Sequence, residues 1–75
     1  MPTLILGKRR YEVSEDRVIR HAVRLFKMSP ERRKHRVDRA KDQLARSARA
    51  EDAPGARAAA KEAAAILLCQ GISEI

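Results

Sequence analysis

The sequence predicts a mainly α fold: an N-terminal β-hairpin or extended arm followed by a compact three-helix domain. Three observations carry this. An amphipathic repeat runs from Val18 to Phe26, two serines stand where helices would begin, and an alanine-rich stretch closes on Gly71. Seventy-five residues make a single small domain, 1–75. A chain of this size buries roughly 60–65 % of its unfolded surface, so its core is thin.

"TLILGKRRYEV", within residues 1–13, reads as two short runs around Gly7-Lys8. Glycine at the first central position suits a type II′ turn, because it accepts positive φ without strain. A hairpin alone is barely stable and has to rest on a helix. The alternative is an extended arm.

The first helix is expected over 15–28. Ser14 is a good N-cap, and Glu15 and Asp16 put negative charge at the positive end of the helix dipole. Val18, Ile19, Ala22, Val23, Leu25 and Phe26 fall in one broad arc at the helical repeat. Arg17, Arg20, His21, Arg24 and Lys27 fall opposite. The apolar arc is expected to be core, with Leu4, Leu6 and Val13 packed on it.

"SPE" opens the second helix, expected over 30–49. Ser29 caps, Pro30 fills the first helical position where its missing N–H does no harm, and Glu31 meets the dipole. The apolar stripe is narrow: Val37, Ala40, Leu44 and Ala48, flanked by Arg33 and Lys41. Most of this helix should face water.

"AEDAPGA" breaks the pattern, and Asp52 is the expected cap of a third helix over 54–70. Its alanines have the highest helix propensity. Gly71 stands where a left-handed terminating residue belongs, with Ile72 folding back on the last turn. From Ala63 to Cys69 the helix is apolar all round, which marks a central helix or the seam of a homodimer.

Charge narrows the function. Seventeen Lys and Arg against ten Asp and Glu give a net +7. The excess lies in the first two-thirds of the chain, and the last third is slightly acidic. Such a protein attracts anions. On the second helix Arg32, Arg36, Arg39 and Arg46 fall within about 80° of one another, with Gln43 among them, by the helical repeat. They extend along some ~20 Å of helix at 1.5 Å per residue. Glu31, Asp38 and Asp42 share another face with His35 and Arg49. Arg17, Arg20 and Arg24 add a basic stripe on the first helix, and Lys8, Arg9 and Arg10 a third group at the turn.

Arginine's planar fork suits phosphate, and so much arginine with few short polar readers points to backbone contact rather than base reading. The expected function is a small non-enzymatic basic protein that binds nucleic acid mainly through phosphates. Arg32, Arg36, Arg39 and Arg46 are central to this reading, and Arg17, Arg20 and Arg24 support it. A duplex is favoured over a single strand, because Tyr11 and Phe26 are the only aromatics for stacking. The alternative is a protein–protein interaction module. It would be a regulatory subunit or a phage-encoded, anti-CRISPR-like inhibitor, docking on an acidic or nucleic-acid-binding surface of a larger complex. A third reading is a homo-oligomer whose charge only keeps it in solution. Whether the basic stripes of the first two helices merge depends on how those helices pack.

Other classes find little support. No glycine-rich phosphate loop, paired carboxylates or "GxSxG" appears, so no enzyme, small-molecule substrate or cofactor is expected. Cys69 sits in the apolar run "AILLCQG", which quiets a thiol, and as a lone cysteine it has no disulfide partner within the chain. Glu31, His35 and Asp38 share a helical face, yet nearby arginines repel a cation and i,i+4 pairing explains the spacing, so no metal is expected. The longest apolar run, Ala63 to Cys69, is far short of the ~20 residues that span a bilayer. No targeting segment is read, and a cytoplasmic protein without membrane contact is expected.

Overall fold

A computed structural model describes residues 1–50 and 52–75; Glu51, within the break before the third helix, lies outside the described residues. The element order is β1 (Thr3–Leu6), β2 (Arg9–Glu12), α1 (Glu15–Phe26), α2 (Pro30–Arg49) and α3 (Ala56–Cys69). The strands form an antiparallel hairpin in which Leu6 pairs with Arg9 and Leu4 with Tyr11. That register leaves Gly7-Lys8 as a two-residue turn. Gly7 has φ of 61°, while no non-glycine residue has positive φ. A type I′ turn would need positive φ at both positions, so the turn is of the II′ kind. The tail joins the same sheet. Ile5 and Glu74 form a parallel bridge, with Ile5 N–H donating to the Ser73 carbonyl at 2.8 Å and Ile75 N–H to the Ile5 carbonyl at 2.8 Å. The outer edge of β1 is thereby covered. The edge of β2 carries Arg9 and Arg10, charges of the kind that discourage edge pairing.

Both serine caps form. Ser14 Oγ accepts from the Arg17 N–H and Ser29 Oγ from the Arg32 N–H, each at 3.3 Å. The first helix ends at Phe26, two residues short of the expected bound, with Lys27 as its C-cap. Arg33 reaches back from α2 across the short connection. Its Nε donates to the Leu25 carbonyl at 3.0 Å and its Nη2 to the Met28 carbonyl at 3.1 Å. One guanidinium thus bonds a carbonyl in the last turn of α1 and another in the connection, and ties the two helices together at their change of direction.

The third helix begins at Ala56, not at 54. Asp52 is not its cap: Gly55 holds that position with φ of 78° and no side-chain bond. Its other end is as the sequence indicates. Gly71 has φ of 81°, its N–H donates to Leu68 O at 3.0 Å, and the Ile72 N–H donates to Leu67 O at 3.0 Å. These are the two bonds of a Schellman motif, and Ile72 packs on the core beside them.

α3 is the central helix. α1, α2 and both strands pack on it, whereas α1 and α2 make little contact with each other. Ala63, Ala64, Ala65, Ile66 and Leu67 are all buried, along with Leu4, Val13, Leu25, Ala40 and Leu44. Its residues Ala63 to Leu67 are thus covered by its own chain, while Leu68 and Cys69 are half-buried.

Two expectations need correction. The strand residues Leu4 and Val13 are core and Leu6 is half-buried, but the hairpin rests on α3 rather than on the arc of α1. The arc itself is split. Leu25 is buried, Val18 and Ala22 are half-buried, and Ile19, Val23 and Phe26 are 58, 51 and 83 % exposed. His21, expected on the wet side, is buried at 8 %. The reason is the number of neighbours. The apolar arc spans nearly half the helix circumference, yet α1 has one substantial partner, and a single alanine-rich helix covers only a stripe. That stripe is the edge bearing Leu25 and His21.

Candidate functional site

Packing α1 and α2 on opposite flanks of α3 leaves a trough between them. Two hollows meet on Glu62. On the α2 side, Arg36, Arg39, Gln43 and Arg46 face Ala59, Glu62, Ala63 and Ile66 of α3. On the α1 side, Arg17, Arg20, His21 and Arg24 surround the same Glu62. Arg36 and Arg39 continue into a further depression with Met28, Arg32 and His35 at the start of α2. The two basic stripes therefore line adjoining hollows that share Glu62 of α3. His35 groups with this basic surface rather than with the acidic residues.

Local sequence explains the placement. On α2 the buried edge is Ala40, Leu44 and Ser47, and the arginines at 36, 39 and 46 lie just beside it. They rise along the rim of the α2–α3 contact. On α1, Arg17 and Arg24 stand next to the buried His21 in the same way. The opposite flank of α2 differs in character: Lys34, Lys41, Val37 and Asp38 line a separate groove with Gln70 and Ile72. Arg9 and Arg10 are also apart, in a cleft with Tyr11, Ser47, Asp52 and Arg57 that shares no residue with the trough. The turn group does not extend the basic field of α1 and α2.

Glu62 organises the floor. His21 Nε2 donates to its Oε2 at 2.5 Å, and Arg17 Nε lies 3.3 Å from Oε1. This carboxylate satisfies the one buried histidine and holds Arg17 in place. Arg20, Arg24, Arg32, Arg36, Arg39 and Arg46 have no carboxylate partner among the described residues. Of these, Arg36 is half-buried and the others are exposed. Their charge is not spent inside the fold. The two residues that sequence reasoning missed are Glu62 and His21. The signal was faint: Glu62 is the single acid within the alanine-rich helix, and His21, three residues from Val18 and four from Leu25, borders the edge of the apolar arc.

The His21 hydrogen bond holds the Glu62 carboxyl below its ordinary pKa, partial burial works against this, and the charges of His21, Arg17 and Arg20 add to the lowering. A carboxyl whose folded pKa is depressed contributes stability above its unfolded pKa and loses it as pH falls through the folded value. Melting temperature is therefore expected to drop as pH is lowered from neutral through the range where glutamate ordinarily titrates. The Glu62→Gln variant should show a shallower drop over the same interval. Parallel melting curves for the two proteins would remove Glu62 from this role.

The remaining reactive side chain is quiet. Cys69 is half-buried, its Sγ donates to the Ile66 carbonyl at 3.0 Å, and burial pushes its thiol pKa up. No helix among the described residues is long and apolar enough to cross a membrane. Comparison with protein-family models, curated proteins and solved structures gives no match to this chain.

Proposed function

We propose that the chain binds nucleic acid, duplex by preference, by laying its trough against phosphates. One observation carries this reading. Arg17, Arg20 and Arg24 from one helix and Arg36, Arg39 and Arg46 from another line two adjoining hollows that share Glu62, the one carboxylate in either. Arg32 extends the α2 wall at its N-terminal end. Guanidiniums without internal partners can each take a phosphate through two parallel bonds. Two walls give two rows of donors, which suits the two sides of a backbone ridge better than a flat face does. Neither Tyr11 nor Phe26 lies in the trough, so stacking on unpaired bases has no platform there. Contact is to backbone and tolerant of sequence.

Duplex binding followed at rising salt tests this. Four to seven phosphate contacts give a log–log slope of about −4 to −6, at roughly 0.9 per contact. A slope near zero, or no binding at low salt, rejects the reading.

A second reading places an acidic protein surface in the same trough. Ala40, Ala59, Ala63 and Ile66 give the floor an apolar character that phosphate does not use. This is the docking-module alternative, of which a regulatory subunit or phage-encoded inhibitor is an instance. Capture of an acidic partner that survives nuclease and competes with duplex favours it.

A further inference from the structure

The exposed part of the α1 arc is left over once the trough is accounted for. Ile19, Val23 and Phe26 recur at spacings of four and three and fall within about 60° on the helical wheel. All three are more than half exposed, so they form a stripe rather than scattered surface residues. The stripe points away from α3, because the opposite side of the helix carries Leu25 and His21. An apolar patch of a few hundred Å² on so small a chain is in the class that marks an interaction face.

We infer that this stripe pairs α1 with α1 of a second copy, antiparallel, about a two-fold axis. The charges beside the stripe select that occupant. Asp16 and Lys27 border it on the same side, about 20° apart on the wheel, one near each end. They are separated by about 16 Å along the helix at 1.5 Å per residue, and Val23 and Ala22 lie near the middle. In an antiparallel two-fold pair, each residue on a given flank meets the opposite end of the same flank on its mate. Asp16 then stands against Lys27 of the second copy, and Lys27 against its Asp16. Ile19 packs against Phe26 twice, and Ala22, small and half-buried, permits close approach at the centre. Glu15 adds to the acidic end. Arg20 lies further round the helix, toward the trough. A parallel pair would instead set each flank against the other flank of its mate at the same level, bringing Asp16 near Glu15 of the second copy and leaving Lys27 without an acidic mate.

The pairing leaves Arg17 and Arg24 open, since they lie on the other side of α1, with Arg20 at the border between the two surfaces. It holds whether or not the trough binds nucleic acid. If both hold, the dimer presents two basic troughs related by a two-fold axis, the symmetry of a duplex site.

Sedimentation equilibrium of the nuclease-treated chain tests this, at low and high salt. A dimer is expected in both, because salt that releases a polyanion leaves an apolar contact in place. Phe26→Glu should weaken it about 30-fold or more, the loss typical of a central aromatic contact. The residue is exposed, so the variant keeps its helix content, which circular dichroism checks. Lys27→Asp sets like charges against each other and should weaken the dimer. Lys27→Asp combined with Asp16→Lys restores opposite charges and should recover it. A monomer at every concentration and salt, or a dimer that dissolves at high salt or ignores Phe26→Glu, overturns the inference. Failure of the double variant to recover association overturns the antiparallel arrangement.

Discussion

Leu25→Ala is expected to cost about 3 kcal/mol of stability, whereas Phe26→Ala, one residue along, should change it by less than about 0.5 kcal/mol. Leu25 is 2 % exposed and sits where α1 meets α3; Phe26 is 83 % exposed. Truncating a buried leucine loses its transfer free energy and leaves a cavity. A small domain has only about 5 kcal/mol in total to lose, so the Leu25 variant keeps about 2 kcal/mol and melts at a clearly lower temperature. Urea unfolding at dilute protein, where association does not contribute, measures both. Equal costs at the two positions would mean that the whole arc is buried and that α1 lies on α3 differently.

Reversing two charges in the trough should have the largest effect on binding. Arg39→Glu with Arg46→Glu is expected to weaken duplex binding by at least about a hundredfold near 0.1 M salt, since two phosphate contacts are lost and two repulsions added. The control is Lys34→Glu with Lys41→Glu, on the other flank of the same helix. It changes net charge by the same amount. Exposed charges are screened beyond roughly 10 Å at this salt, so remote lysines matter less than arginines in contact. The control should lose several-fold at most and keep its salt slope. If both pairs lose affinity equally, only the overall charge of the protein matters, and the trough is not a site.

Much of the architecture was legible because it depends on neighbours close in sequence. The serine caps, the proline at the start of α2 and the Gly71 stop are each decided within a few residues. The turn type followed from one glycine. The arginine face of α2 was equally local, because residues three or four apart on a helix must share a side. The central place of α3 was one of the two readings its composition allowed, since a helix apolar all round has to be covered by something.

What failed was long-range. Periodicity gave the direction of the apolar arc on α1 but not how much of it would find a partner. His21 and Glu62 are separated by 41 positions, so no local pattern could show that they meet. Asp52 was a sound cap by type, but the chain enters α3 through Gly55 in a left-handed turn. The tail's bridge to β1 joins the two ends of the chain and left no mark in composition.

The amino-acid order alone determined the elements, the caps at Ser14, Ser29 and Gly71, and which side of each helix carries cations, because such caps and helical faces are settled by residues a turn or less apart. Only the tertiary structure decided that two basic stripes line hollows meeting on Glu62 and that half of an apolar arc stays in water. Those outcomes depend on how α1 and α2 are turned about a common central helix, a rotation fixed by contacts between residues far apart in the chain.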